Sequence, residues 1–257
     1  MKHFVLVHGM CHGAWCWYKV VTLLKSAGHR VTPVNLGACR INPKKLDELN
    51  SMADYAQPLM ELMASLPHDE KVILVGHSFG GISISLAMES YPNKVIAGVY
   101  LTAFMPNHDS PPVTLLEEFF KGIQGESIMD SELSFDDGPQ SPPTTVVFGP
   151  NHSAAKIYQL SPKEDLELAI TLLRKGKWFM KDLGKESLLT KEKFGCVKRV
   201  YVVCKDDLLI KESLQNWYIE NSPTEDVKVI EGADHMPMFS KPKELCQCLQ
   251  EVAEKYN

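Results

Sequence analysis

The chain has 257 residues, 44% hydrophobic and 23% charged, which supplies enough apolar surface for a sizeable core and excludes a disordered chain. Lys and Arg number 27 against 32 Asp and Glu, a net charge of −5 that leaves no basic footprint for nucleic acid or an anionic lipid surface. Seven cysteines, an odd number without regular spacing, speak against a disulfide framework and predict a reducing compartment, the cytoplasm.

The first predicted element is a strand over 4–7, reached directly from Met1, Lys2 and His3, with no long apolar leader, so no secretory signal is expected. A helix over about 15–27, a strand over 30–34, a helix over about 52–66 and a strand over 71–75 follow. This last strand reads KVILV, continuously apolar, as a central strand buried on both faces should be. A helix over 81–91 and a strand over 95–101 extend a rhythm that implies an α/β fold, a mostly parallel sheet with helices on both faces. Then the rhythm breaks. Eight of the sixteen prolines fall between Pro106 and Pro162, so this stretch is read as an insertion with its own short helices. The pattern resumes with a strand over 197–204, a helix near 211–220, a strand near 227–230 and a closing helix over about 242–256. A single domain over residues 1–257 is expected, with a helical cap inserted at about 106–180. No stretch reaches eighteen apolar residues in a row, so no membrane span is expected.

Gly76-His77-Ser78-Phe79-Gly80 is a G-x-S-x-G directly after the KVILV strand and before an apolar helix, the context that a nucleophile elbow requires. Such a turn strains the serine backbone and brings its neighbours so close that only small residues fit at Gly76 and Gly80. Serine near its free pKa is a weak nucleophile and needs a base. Of nine histidines, His235 is the best placed, on a loop after the last strand and at the same sheet edge. The base needs an orienting acid, and Asp206 and Asp207 both follow the VYVVC strand where it should stand; the residues alone leave that choice open. An oxyanion hole needs two backbone N–H groups. Phe79 supplies one by its position after the serine, and Met10, in the loop His8-Gly9-Met10-Cys11-His12-Gly13, is the candidate for the other. The group His8, Cys11, His12 and Cys16 lacks the spacing of a zinc motif, so no metal and no cofactor are expected.

HFVLVHGxCHGAWxWYK, DEKVILVGHSFGG and EGADHMPM resemble the plant methylesterase family of α/β-hydrolases, over essentially the whole chain from His3 onward. Carried over residue by residue, the resemblance implies Ser78 as nucleophile, His235 as base, Asp207 rather than Asp206 as acid, the amides of Met10 and Phe79 as the oxyanion hole, and the Pro-rich insertion as a cap over the acyl pocket. It implies a small-molecule ester as substrate and a possible homodimer. The family also contains hydroxynitrile lyases, which resemble this chain but carry Thr, Glu and Lys where it has Gly9, His77 and Met236. Without that ammonium, departing cyanide lacks its electrostatic partner, so ester hydrolysis is favoured over C–C cleavage. A non-hydrolytic ligand-binding member is the remaining alternative. Hydrolysis of a β-keto ester would allow decarboxylation to follow.

Gly9, Ile128, Trp178, Ile210 and Met236 are expected to line the substrate pocket. Trp178 stands where the family commonly has Leu, and Ile128 where many members have Trp, which redistributes bulk around the acyl group. Arg40 lies after the second strand, either against an acidic substrate group or in solvent.

Overall fold

The computed structural model describes residues 1–39 and 41–256, so Arg40 lies outside the described residues. In chain order the elements are β1 (His3–Val7), α1 (Tyr18–Ser26), β2 (Arg30–Val34), α2 (Met52–Ser65), β3 (Val72–His77), α3 (Gly80–Ser90) and β4 (Val95–Leu101). An inserted segment follows, with α4 (Val113–Gly122), β5 (Glu132–Ser134), β6 (Thr145–Val147), α5 (Pro150–His152), α6 (Lys163–Leu172), β7 (Gly176–Lys177) and α7 (Met180–Leu183). The chain closes with β8 (Arg199–Cys204), α8 (Glu212–Asn221), β9 (Asp226–Ile230), α9 (Pro237–Ser240) and α10 (Pro242–Lys255).

Six strands pair in the order β2-β1-β3-β4-β8-β9, every neighbouring pair parallel. Strand side chains alternate between faces, and here both faces are covered. Val5, Val7, Leu74, Tyr201 and Val203 pack into one core cluster, while Phe4, Leu6, Ile73, Val75, Val200 and Val202 pack into the other. That double burial is why KVILV shows no polar alternation. The two edges are marked differently: β2 carries Pro33, which has no N–H to give a further strand, and β9 exposes Val227 and Val229.

The register places the site. Val7 lies beside Gly76, His77 beside Leu101, Leu101 beside Val202, and Cys204 beside Ile230. Parallel strands aligned in this way release the loops after β1, β3, β4, β8 and β9 along one carboxyl edge, where α/β sheets bind their ligands.

The inserted segment departs from expectation. It was predicted as helical, but β5, β6 and β7 form an antiparallel three-stranded sheet beside its helices. These strands have three, three and two residues, too few for alternation to emerge from the sequence. The segment is tied to the sheet layer by buried and half-buried polar contacts. Asp165 of α6 accepts from Tyr18 Oη at 2.8 Å and pairs with Lys19 at 2.5 Å, both on α1. Tyr158 Oη donates to His12 Nε2 at 2.6 Å, and Arg174 N donates to the Cys11 carbonyl at 3.0 Å. Among the described residues no helix is long and apolar enough to cross a membrane, and all seven cysteines are free thiols.

Candidate active site

Ser78 occupies the turn between β3 and α3 with φ of 53°, the left-handed region that costs a serine on the order of 1–3 kcal/mol. The turn is over-determined, so the strain is held. Ser78 N donates to the Leu101 carbonyl at 3.2 Å, and the Ser78 carbonyl accepts from Gly81 N at 3.1 Å and Phe104 N at 3.2 Å. A Cβ on Gly76 would lie 2.8 Å from the Gly80 carbonyl oxygen, and one on Gly80 would lie 2.7 Å from the carbonyl oxygens of both Val7 and His8. Backbone meets backbone at both points, so the elbow admits no side chain there. Ser78 is thereby set above the positive end of α3.

His235 stands on the loop after β9, and its Nδ1 bonds Asp207 Oδ2 at 2.6 Å. Three more donors converge on the same carboxylate: Thr102 Oγ1 to Oδ2 at 2.5 Å, Leu209 N to Oδ1 at 2.7 Å and Ile210 N to Oδ1 at 2.9 Å. Both His235 and Asp207 are buried. With Asp207 accepting from Nδ1–H, the neutral ring keeps its lone pair on Nε2, the tautomer that a general base needs. Asp206 goes elsewhere, its exposed carboxylate accepting from Gly232 N at 2.7 Å. Thr102 was not singled out from the sequence; its only signal was its position just past the end of β4.

Three further histidines are buried around this pair, and each has a structural partner. His77 Nε2 donates to the His235 carbonyl at 2.7 Å, tying the elbow to the histidine loop. His8 Nδ1 donates to the Gly9 carbonyl at 2.8 Å while its Nε2 accepts from Leu36 N at 3.1 Å. His12 Nδ1 donates to the Met10 carbonyl at 2.8 Å. Burial makes protonation costly for all three, holding His77 well below the ordinary histidine range and lowering His8 to about 4 and His12 to about 3. They are neutral at pH 7. Among the described residues no three His, Cys, Asp or Glu side chains gather as metal ligands.

Asp234, the residue before the histidine, has a different task. Fully buried, it accepts at Oδ1 from Met236 N at 2.9 Å and Ser240 Oγ at 2.8 Å, and at Oδ2 from Leu160 N at 3.0 Å and Ser161 Oγ at 2.8 Å. One carboxylate thus joins the histidine loop to the inserted segment.

A single cavity brings Ser78 and His235 together with Gly9, Met10, Phe79, Ile128, Trp178 and Ile210. Among the described residues the amides of Met10 and Phe79 have no protein acceptor. Phe104, Phe119, Phe120 and Ile123 make much of the remaining wall, and Trp178 packs edge-on against Phe79 with ring centres 5.9 Å apart. Met236, expected in the pocket, is not among the lining residues. It stands at the start of α9 and is fully buried in the core cluster that holds Val75 and Leu101.

Residues 4–247 match the model of the "Alpha/beta hydrolase family". The chain is 54% identical over 257 residues to methyl jasmonate esterase 1 of Vitis vinifera, covering 100% of this chain and 98% of the relative. It is 48% identical over 256 residues to salicylic acid-binding protein 2 of Nicotiana tabacum, covering 100% and 98%. Among solved structures, polyneuridine aldehyde esterase superposes with a TM-score of 0.93 at 45% identity, over 98% of this chain and 99% of that one. Near-complete coverage, this level of identity and a shared fold leave one assignment: the chain belongs to the alpha/beta hydrolase family, in the branch that holds the plant methylesterases.

Proposed function

We propose that this protein is a serine carboxylesterase that hydrolyses the methyl ester of a small, largely apolar plant acid. The observation that carries the reading is the Asp207–His235 pair at 2.6 Å, opening onto the same apolar cavity as a serine held at positive φ. Ser78 Oγ attacks the ester carbonyl while His235 Nε2 takes its proton. Asp207 stabilises the imidazolium that forms, and the free amides of Met10 and Phe79 hold the oxyanion, each donor contributing roughly 100- to 1000-fold in rate. His235 returns the proton to departing methanol, and water clears the acyl-enzyme by the same route. With a β-keto acyl group, the freed acid loses carbon dioxide afterwards. Relatives named methyl jasmonate esterase and polyneuridine aldehyde esterase support an ester as the substrate class.

The inserted segment acts as the cap of a single domain, since its Trp178 and Phe119 share the cavity wall with the sheet-edge residues Ser78 and His235. Free thiols at all seven cysteines support a cytoplasmic location. Cyanohydrin cleavage is disfavoured because, among the described residues, no Lys or Arg lines the cavity. Ser78→Ala tests the mechanism: methanol release from model methyl esters should fall at least 1000-fold, and turnover within tenfold of the parent would overturn it.

A further inference from the structure

One wall of this largely apolar cavity carries a polar ring that makes no hydrogen bond of normal geometry. His152, on α5, lines the cavity, is 9% exposed, and has no hydrogen bond of normal geometry at either ring nitrogen. Burial lowers its pKa and outweighs the Ile128 carbonyl beside it, so the ring is neutral and offers one N–H donor and one lone pair. An unmet buried donor or acceptor is costly and uncommon in a folded protein.

The ring is held as it stands. Asp130 Oδ1 accepts from His152 N at 2.9 Å and Oδ2 from Asn151 N at 2.9 Å, while Ser131 Oγ accepts from Gly149 N at 3.1 Å. The imidazole then stacks on Phe148, ring centres 5.7 Å apart and planes 8° from parallel. Phe148 and Ser131 line the cavity as well. These bonds fix the backbone at the start of α5, and the Phe148 stack sets the plane of the ring. Trp178 repeats the pattern: it lines the same cavity, and its Nε1–H is buried without an acceptor.

Resting on the esterase reading above, we propose that the acyl group taken by this cavity carries a ketone or hydroxyl oxygen several atoms from the ester carbonyl, and that His152 binds that oxygen and sets the specificity. A ketone accepts from the imidazole N–H; a hydroxyl also donates to the lone pair. A pure hydrocarbon chain of the same length fills the cavity and leaves His152 unmatched, so it is the poorer substrate.

The test compares methyl octanoate with its 4-, 5-, 6- and 7-oxo derivatives, scanning the oxygen along the chain, with kcat/KM measured for the parent, His152→Phe and His152→Gln. At least one oxo ester should exceed methyl octanoate by about tenfold or more in the parent. His152→Phe should bring that ratio to about one, and His152→Gln, which still offers a donor and an acceptor, should retain part of it. Equal turnover of oxo and plain esters by the parent, or a preference that survives His152→Phe, overturns the inference and leaves the esterase reading standing. Hydrolysis of none of the five esters overturns both.

Discussion

Four donors converge on the Asp207 carboxylate, and this environment separates it from the chemically identical Asp206 one residue away. Successive side chains leave a turn in different directions, so which of the two meets His235 was not legible in their identity or spacing. Asp207→Asn puts an amide where Thr102 and the ring both need an acceptor, and it favours the wrong imidazole tautomer. Turnover of a methyl ester should fall by about 10,000-fold, with secondary structure by circular dichroism unchanged. Asp206→Asn touches an exposed group bonded only to loop backbone, and its kcat/KM should stay within about threefold of the parent. Equal losses in the two variants would contradict the assignment. Thr102, and the bond by which His77 holds the histidine loop, were invisible for a related reason: nothing in a sequence marks a side chain that works by holding another loop.

At the scale of elements, the elbow was the most legible part of the molecule because its constraints are local. A strand, two close approaches and a helix start within a few residues leave a pattern of small residues around one serine. Gly80→Ala tests it. Alanine raises helix propensity by about 1 kcal/mol, but its Cβ would press to 2.7 Å against two backbone carbonyl oxygens that cannot yield without moving β1. Overpacking of about 1–3 kcal/mol or more wins, so the variant should melt several degrees lower and lose esterase activity; a rise in Tm would contradict this account. The main strands were legible because runs of five or six buried residues stand out. β5, β6 and β7 were not, because two or three residues define no period.

At the scale of the whole molecule, the sheet layer and the inserted segment are joined by buried polar ties. Asp234→Ala strips the acceptor from four donors at once. The expected loss is about 3 kcal/mol by chemical denaturation, with a raised KM from a looser cap. An unchanged KM would show that the tie serves stability alone. A pH dependence also belongs here, carried by the buried neutral histidines. His8, His12 and His77 titrate in the folded protein below the ordinary value of 6.5, the first two at about 4 and about 3. As pH falls below about 6.5 the unfolded chain binds protons that the folded chain refuses, so stability is fully present above that pH and is lost as pH drops toward the folded values. Each group steepens the fall by up to about 1.4 kcal/mol per pH unit. Urea denaturation at pH 7, 6 and 5 should show the decline, and a flat profile would refute it.

The sequence by itself determined the layered α/β fold, the elbow around Ser78, and the family, because burial on both faces of a sheet and a strained strand-to-helix turn impose local patterns on consecutive residues. Tertiary structure alone decided what depends on convergence of distant segments. It sent Met236 into the core and Asp234 to the inserted segment, left His152 without a hydrogen bond of normal geometry at the cavity wall, and supplied the contacts that separate Asp207 from Asp206, a choice that the residues alone left open and only the family resemblance implied. Residues far apart in the chain meet only when the sheet aligns its loops and the inserted segment folds across them, and no local pattern encodes that meeting.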